Sequence, residues 1–303
     1  MPRWRLLDSR LRGNDGNQKI HKLSGVKSQT SGTRELSTIH DPLSTPQLEI
    51  IAHRGASHDA PENTLASVRL AWEVGADAVE IDVMLSRDGH IVVFHDTTTG
   101  RIAGDERAVR DLSLDELRLL DVGRWKGDHF AGERIATLAE VLETIPAGKR
   151  VFVEIKCGLD IVPLLERAIR DAPYLPERIV VIAFDRDVAA AVKHALPDVK
   201  VLLIVALRRD RRCGLWAPTA EELIAIARGA KLDGIDVGSC PGVDREFAAT
   251  IRGAGLDLYV WTVNSAATAR RLAAIGVQGI ATDRPAWMRG QLAKPQVASH
   301  AVR

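Results

Sequence analysis

The sequence predicts an α/β fold, and within that class a TIM (β/α)8 barrel. From residue 48 onward, short runs rich in Val, Ile and Leu alternate with longer amphipathic runs, most connections are short, and the strand-like run recurs eight times. This alternation is typical of parallel strands covered by helices, and eight units over roughly 250 residues match a closed barrel. A doubly wound open sheet is the competing architecture, but its G-x-G-x-x-G phosphate-binding fingerprint is absent from the sequence.

Each predicted strand is a short apolar run rich in β-branched residues, which favour pleated, buried positions. The strands are expected at residues 48–53, 78–83, 150–156, 178–184, 200–206, 232–237, 256–263 and 279–283. Helical patterns lie between most of them, and several end in a Gly suited to a C-cap. These patterns read NTLASVRLAWEVG, DVAAAVKHAL, TAEELIAIARGA, DREFAATIRGAG and SAATARRLAAIG.

One segment breaks the alternation after the second strand. Roughly 65 residues precede the strand at 150–156, far more than a βα connection needs. The segment SRDGHIVVFHD predicts a hairpin with Asp88-Gly89 as its turn, and helical SLDELRLLD and TLAEVLETI follow it. We therefore expect a small insertion, at about residues 96–147, on the mouth of the barrel.

The chain ends differ from the predicted barrel domain, residues 47–293. Residues 1–46 are polar and rich in Ser, Thr and Gly, without the apolar core of a secretory signal, so we expect a disordered N-terminal extension. Residues 294–303 are expected to be a C-terminal tail. No later apolar run approaches the length of a membrane span, so we expect no stable membrane anchor, and the missing secretory signal predicts a cytoplasmic protein.

Composition points to a small-molecule partner. Lys and Arg total 41 against 40 Asp and Glu, and a formal charge of +1 argues against a basic nucleic-acid footprint. The three cysteines, Cys157, Cys213 and Cys240, have no paired spacing and are expected to be free thiols in a reducing compartment.

Polar residues stand where the predicted strands end, which is where TIM barrels place their reactive groups. Glu80 and Asp82 are two residues apart and share one face of their strand. The same edge is expected to carry His53, Arg54, Glu154, Lys156, Trp261, Asn264 and Asp283. A histidine, His95, ends the run after the Asp88-Gly89 turn.

Three carboxylates facing one mouth repel one another unless a cation lies between them. We therefore predict a metal site at Glu80, Asp82 and Glu154, and all-oxygen ligands favour Ca²⁺ or Mg²⁺. The alternative is a set of salt bridges with Arg54 and Lys156. With a cation bound, the site accepts an anion such as a phosphate diester, whose oxygens Arg54 and Lys156 would contact.

His53 and His95 could then transfer protons to and from the reacting oxygens as general acid and base. The partner expected from these residues is thus a small phosphodiester.

The motifs resemble the glycerophosphodiester phosphodiesterases. The stretch HRGASHDAPENTLASVRLAWEVGADAVEIDVMLSRDGHIVVFHD carries H-R-G, P-E-N-T, E-x-D and a terminal H-D, and later blocks LDVGRWKGDHFAGERIATLAEVL, VFVEIK, VWTVN and GIATDRP follow in the family's order. The resemblance covers about residues 48–290. The family's usual I-P-T-L reads IATL here, with Ala136 in place of Pro.

The resemblance implies a TIM barrel with a small insertion, a divalent ion on Glu80, Asp82 and Glu154, and His53 and His95 as acid and base. It implies further substrate-binding or site-orienting roles for Arg54, Lys156, Trp261, Glu62 and Asn63. The activity implied is hydrolysis of glycerophosphodiesters to glycerol 3-phosphate and an alcohol. Two alternatives stay open, a lysophospholipase D-like phosphodiesterase and a barrel that binds a phosphodiester without turning it over.

Overall fold

The computed structural model describes residues 48–172, 176–211 and 214–294. The predicted disordered extension, residues 1–46, lies outside the described residues, as does the predicted C-terminal tail beyond residue 294. The described strands are β1 (Glu49–His53), β2 (Ala78–Leu85), β3 (Ile91–Val93), β4 (Arg150–Ile155), β5 (Ile179–Ala183), β6 (Lys200–Val205), β7 (Arg208–Arg209), β8 (Trp216–Ala217), β9 (Gly234–Gly238), β10 (Asp257–Trp261) and β11 (Gly279–Thr282).

Eight of these strands form a closed parallel barrel in the order β1-β2-β4-β5-β6-β9-β10-β11, because β1 pairs with both β2 and β11. The predicted TIM barrel is confirmed, and each predicted strand overlaps a barrel strand. Strand β3 pairs antiparallel with the end of β2, with Val83 opposite Val93. Gly89 lies in the turn between them at φ +81°, as the hairpin prediction requires.

Helices that connect the barrel strands cover the outside of the barrel, and two short helices contribute instead to a separate small core. The described helices are α1 (Leu65–Glu73), α2 (Gly100–Ala103), α3 (Leu114–Arg118), α4 (Leu138–Leu142), α5 (Val162–Asp171), α6 (Arg186–Ala195), α7 (Ala220–Gly229), α8 (Arg245–Gly253), α9 (Ala266–Ala274) and α10 (Pro285–Ala293). Helices α1, α3, α4 and α7 begin with capping boxes, in which a Ser or Thr hydroxyl and the side chain three residues later satisfy free backbone N–H groups. Among the described residues, no helix combines the length and apolar character needed to cross a bilayer.

The barrel interior is apolar towards the N-terminal ends of its strands and polar at their C-terminal ends, which form the mouth. Inward side chains form one buried cluster: Ile51, Ala78, Phe152, Val180, Ile182, Leu202, Ile204, Tyr259 and Ala281. Because every second residue of a strand points the same way, the row of Ala78 continues to Glu80 and Asp82, and the row of Phe152 continues to Glu154. The carboxylates are therefore built into the barrel wall, above a packed floor.

The segment between β2 and β4 has a small core of its own, formed by Met84, Val92, Phe94, Ile102, Val109, Leu112, Leu114, Leu117, Val122 and Ile135. Helix α4 belongs elsewhere, because its Leu138, Val141 and Leu142 pack in the main core between sheet and helices. This small core thus lies beside β2, and residues 96–135 supply most of its members.

Candidate active site

Three carboxylates meet at the barrel mouth. Glu80 and Asp82 come from β2, and Glu154 comes from the neighbouring β4, where it is in register with Asp82. One oxygen from each lies within 4.8 Å of the others. All three side chains are buried, with Asp82 only 1% exposed. The residues predicted to hold a metal are therefore brought together.

Burial and mutual repulsion dominate the electrostatics of this cluster. Burial, together with the charges of Asp82 and Glu154, raises the pKa of Glu80 well above its usual range, despite the nearby Arg54. Burial and Asp82 also raise the pKa of Glu154, although Lys156 opposes the shift. The two cationic side chains therefore do not neutralise the cluster.

The alternative of internal salt bridges is only partly realised. Lys156 Nζ donates to Glu154 Oε1 at 2.7 Å, and Arg54 Nε lies 3.1 Å from Asp82 Oδ2. Lys156 Nζ also lies 3.7 Å from Asp82 Oδ1, but among the described residues Glu80 Oε1 and Asp82 Oδ1 are buried without a hydrogen-bond partner. Buried oxygens without partners are costly, and a hard divalent cation is the partner that an all-carboxylate set fits. These residues therefore fit a Ca²⁺ or Mg²⁺ ion.

Each predicted histidine is held by a carboxylate. His53 Nδ1 lies 2.7 Å from Asp283 Oδ1, and His95 Nδ1 lies 2.6 Å from Asp96 Oδ1. An ionised carboxylate can only accept a hydrogen bond, so the proton in each pair is assigned to Nδ1. The second ring nitrogen of both histidines is then free to accept or deliver a proton.

Asp283 is itself fixed. Asn264 Nδ2 donates to its Oδ2 at 2.6 Å, and Ser57 Oγ donates to its Oδ1 at 3.3 Å. Burial would raise the pKa of Asp283, but hydrogen bonds from His53, Asn264 and Ser57 hold it below the usual range. The carboxylate that orients His53 is therefore ionised at neutral pH.

Arg54 and Asn63 form hydrogen bonds to the carboxylates of the cluster and so hold them in position. Arg54 donates its backbone N–H to Glu80 Oε2 at 2.8 Å and its guanidinium to Glu62 Oε1 at 2.8 Å. Asn63 holds Asp82 twice, because its amide donates to Oδ2 and its carbonyl oxygen accepts from the Asp82 N–H. Glu62 and Asn63 thus orient other site residues.

The site opens into a cavity of 250 Å³ at the barrel mouth. Seven of the ten predicted residues line it: His53, Arg54, Glu80, His95, Glu154, Lys156 and Trp261. The remaining three, Asp82, Glu62 and Asn63, each contact Arg54, which is one of those seven. Trp261 forms an apolar wall with Phe184, at 5.5 Å between ring centroids. A larger cleft of 490 Å³ lies on the outer surface beside α4 and α5, and its lining includes none of the ten.

Four further residues belong to the site, although the sequence analysis assigns them no role. The sequence marks Asp283 only as the end of a strand. Asp96 and Arg101 follow His95, and Arg101 donates to both Asp96 and Glu62. Asp236 lines the cavity from β9, and its place in the run LDGIDV, a carboxylate inside an apolar strand, is the signal that also marked Glu80.

Cys157 takes no part in this chemistry. Burial raises the pKa of its thiol to about 11, so it stays protonated at neutral pH. It is free and partly buried, as predicted.

Fold and site together define a TIM barrel with a buried carboxylate cluster suited to a cation and two histidines oriented by carboxylates at its mouth. Residues 53–287 match the model of the glycerophosphoryl diester phosphodiesterase family. The chain therefore belongs to this family and is an enzyme of its class.

Individual relatives agree with the family match. A glycerophosphodiester phosphodiesterase from Caldanaerobacter subterraneus subsp. tengcongensis is 37% identical over 243 residues, covering 78% of this chain and 94% of that protein. One from Bacillus subtilis is 27% identical, covering 80% and 86%. Among solved structures, an Oleispira antarctica phosphodiesterase in complex with the product sn-glycerol-3-phosphate is similar with a TM-score of 0.72 and 27% identity, covering 81% of this chain and 97% of that one.

Proposed function

We propose that the protein hydrolyses glycerophosphodiesters to glycerol 3-phosphate and an alcohol with the help of a divalent cation. The observation that carries the proposal is the convergence of Glu80, Asp82 and Glu154 with His53 and His95 at one cavity. The carboxylates would hold Ca²⁺ or Mg²⁺. When bound, the cation supplies positive charge that stabilises the negative charge developing on the phosphate.

The chain's own cations bind the substrate phosphate. Arg54 and Lys156 line the cavity beside the carboxylates, where their charges would contact the non-bridging oxygens. Both are anchored by carboxylates, Arg54 by Glu62 and Lys156 by Glu154, so little reorganisation is needed when the phosphate binds.

The histidines move the protons. An oxygen nucleophile, either water or the glycerol 2-hydroxyl, forms a bond to phosphorus while the bond to the alcohol oxygen breaks. One histidine accepts the proton of the nucleophile, and the other protonates the departing alkoxide. If the 2-hydroxyl attacks, water then opens the cyclic diester. Asp283 and Asp96 fix the ring orientations that both steps require.

The test is release of glycerol 3-phosphate from glycerophosphocholine by the purified protein. EDTA should abolish release, and Ca²⁺ or Mg²⁺ should restore it. Glu80→Gln and His95→Asn should each lower kcat/KM by about 10²-fold or more. Matched controls are Glu143→Gln and His194→Asn, both exposed and away from the cavity, which should retain full activity.

Other outcomes separate the alternatives. Release that survives both EDTA and Glu80→Gln would contradict the role of the cation. Release of choline from lysophosphatidylcholine, without release of glycerol 3-phosphate from glycerophosphodiesters, would favour the hypothesis of a lysophospholipase D-like phosphodiesterase. Intracellular location in the cytoplasm stays a prediction of the sequence.

A further inference from the structure

Asp236 is a buried carboxyl group for which the reaction described above has no use. It lies on β9 and is 5% exposed. Its Oδ1 has no hydrogen-bond partner among the described residues, yet it lines the cavity that contains the carboxylate cluster. A buried polar atom without a partner costs stability, so its presence at a cavity wall calls for a ligand.

The position of Asp236 separates it from the cluster. In the barrel order, β9 is four strands away from β2 in either direction, so Asp236 lies across the barrel from Glu80 and Asp82. It is also outside the group of carboxylates whose oxygens converge. A molecule that fills the cavity would therefore meet Asp236 and the carboxylate cluster with different parts.

The surroundings of Asp236 indicate an uncharged partner. The cavity wall beside it is formed by Ile204, which is its register neighbour on β6, and by Trp261. The Trp261 indole N–H donates to the backbone carbonyl of Asp236 at 3.3 Å, which fixes the indole ring against strand β9. The cationic lining residues of this cavity, Arg54 and Lys156, follow β1 and β4 instead.

We propose that the Asp236 carboxyl hydrogen-bonds a hydroxyl group of the glycerol moiety and so selects glycerol-containing phosphodiesters. This inference rests on the proposed function of the site. Burial, and then the charge of Glu154, raises the pKa of Asp236 well above its usual range. A protonated carboxyl both donates and accepts a hydrogen bond, as a hydroxyl does, whereas a fully ionised one would only accept.

Two substitutions at Asp236 test the inference in the protein loaded with Ca²⁺ or Mg²⁺. Asp236→Val removes the hydrogen bond within a similar volume, and Asp236→Asn keeps a group that can bond a hydroxyl. On glycerophosphocholine, Asp236→Val should lose about 10- to 100-fold in kcat/KM, and Asp236→Asn should recover most of it. On bis(4-nitrophenyl) phosphate, which has no hydroxyl groups, both variants should stay within about threefold of the unsubstituted protein.

A stability measurement excludes a merely structural role. Because Asp236→Val removes a buried oxygen, Oδ1, that has no hydrogen-bond partner among the described residues, its unfolding midpoint should be equal or higher. A lower midpoint together with equal losses on both substrates would overturn the inference, as would full activity of Asp236→Val on glycerophosphocholine.

Calorimetric binding of glycerol 3-phosphate, with inorganic phosphate as the control ligand, keeps the test independent of turnover. Asp236→Val should weaken glycerol 3-phosphate binding about tenfold or more and leave phosphate binding unchanged. If the unsubstituted protein binds glycerol 3-phosphate in this way but hydrolyses no glycerophosphodiester, the proposed reaction fails and hydroxyl recognition stands. If Asp236→Val weakens neither ligand, or both equally, hydroxyl recognition fails whether or not the enzyme is active.

Discussion

At the scale of single residues, Asp283 is the group whose charge has the clearest consequence. It accepts the hydrogen bond from His53 Nδ1 and is held by Asn264 and Ser57. In Asp283→Asn, an amide group facing the ring no longer fixes the proton on Nδ1, so His53 loses its preferred tautomer. We expect kcat to fall by about 10²-fold or more, with a small change in KM, measured by steady-state kinetics on glycerophosphocholine.

The chain offers a matched control for this prediction. His58 Nδ1 lies 2.6 Å from Asp59 Oδ1, but both side chains are exposed, at 49% and 53%. Asp59→Asn breaks the same type of pair away from the cavity and should leave kcat unchanged. If both variants lose activity equally, the effect of Asp283 does not come from orienting the catalytic histidine.

The pKa of Asp283 also sets the sign of its pH dependence. Because this pKa is lowered in the folded protein, the carboxylate adds stability above its ordinary pKa near 3.9, and this contribution is lost as pH falls through the lowered value. The difference in unfolding free energy between the unsubstituted protein and Asp283→Asn should therefore shrink in strong acid and be constant near neutrality.

At the scale of elements, the short helix α2 connects two halves of the site through Arg101. Its guanidinium donates to Glu62, which holds Arg54, and to Asp96, which holds His95. Arg101→Ala should therefore disturb both the phosphate contact and one proton-transfer group. We expect kcat/KM to fall about 10- to 100-fold. The unfolding free energy should fall by no more than about 1 kcal/mol, because Arg101 is about half exposed.

Arg107 provides the comparison within the same segment. It is similarly exposed and pairs with Asp105 and Glu116, which are not among the residues that line the active-site cavity. Arg107→Ala should match Arg101→Ala in stability and retain full kcat/KM. Equal activity of the two variants would contradict a positioning role for Arg101.

The elements themselves differ in how far sequence predicts them. The eight barrel strands were predictable because each is a buried apolar run long enough to show a pattern. The β7–β8 hairpin has two residues in each described strand, too few for any periodicity. Paired carboxylates such as Glu80 and Asp82 can be recognised from their spacing in the sequence. The contact between Arg101 and Glu62 joins residues 39 positions apart, so no local pattern predicts it. Asp236 is a lone carboxyl in its strand, so the sequence marks it more weakly than the pair, and its buried Oδ1, without a hydrogen-bond partner among the described residues, adds the stronger signal.

At the scale of the whole molecule, the barrel supports a site that is unfavourable by itself. The packed floor beneath the mouth and the helix-covered outer face supply the hydrophobic stabilisation that offsets the burial of Glu80, Asp82 and Glu154. Natural proteins retain such costly groups at functional sites. Replacing one of these carboxylates should therefore trade activity for stability.

The pH dependence of stability without a divalent cation follows from the same burial. The pKa values of Glu80 and Glu154 are raised above the ordinary 4.5. A group with a raised pKa contributes fully below its unfolded pKa, and its contribution is lost as pH rises through the folded one. In EDTA, the unfolding midpoint should thus be lower at about pH 8 than at about pH 5, and Ca²⁺ or Mg²⁺ should raise it at the higher pH by binding the folded state.

Glu80→Gln separates this effect from the titration of the rest of the chain. The variant lacks the buried charge, so in EDTA at about pH 8 its midpoint should lie several degrees above that of the unsubstituted protein, and its decline with pH should be shallower. It should also respond less to added Ca²⁺ or Mg²⁺, because one ligand is weakened. Scanning calorimetry at both pH values, with Glu143→Gln as the exposed control, measures all of these. If the midpoint of Glu80→Gln falls with pH as steeply as that of the unsubstituted protein, the carboxylate cluster is not the source of the pH dependence. If the variant responds to the cation as strongly as the unsubstituted protein does, the cation binds elsewhere.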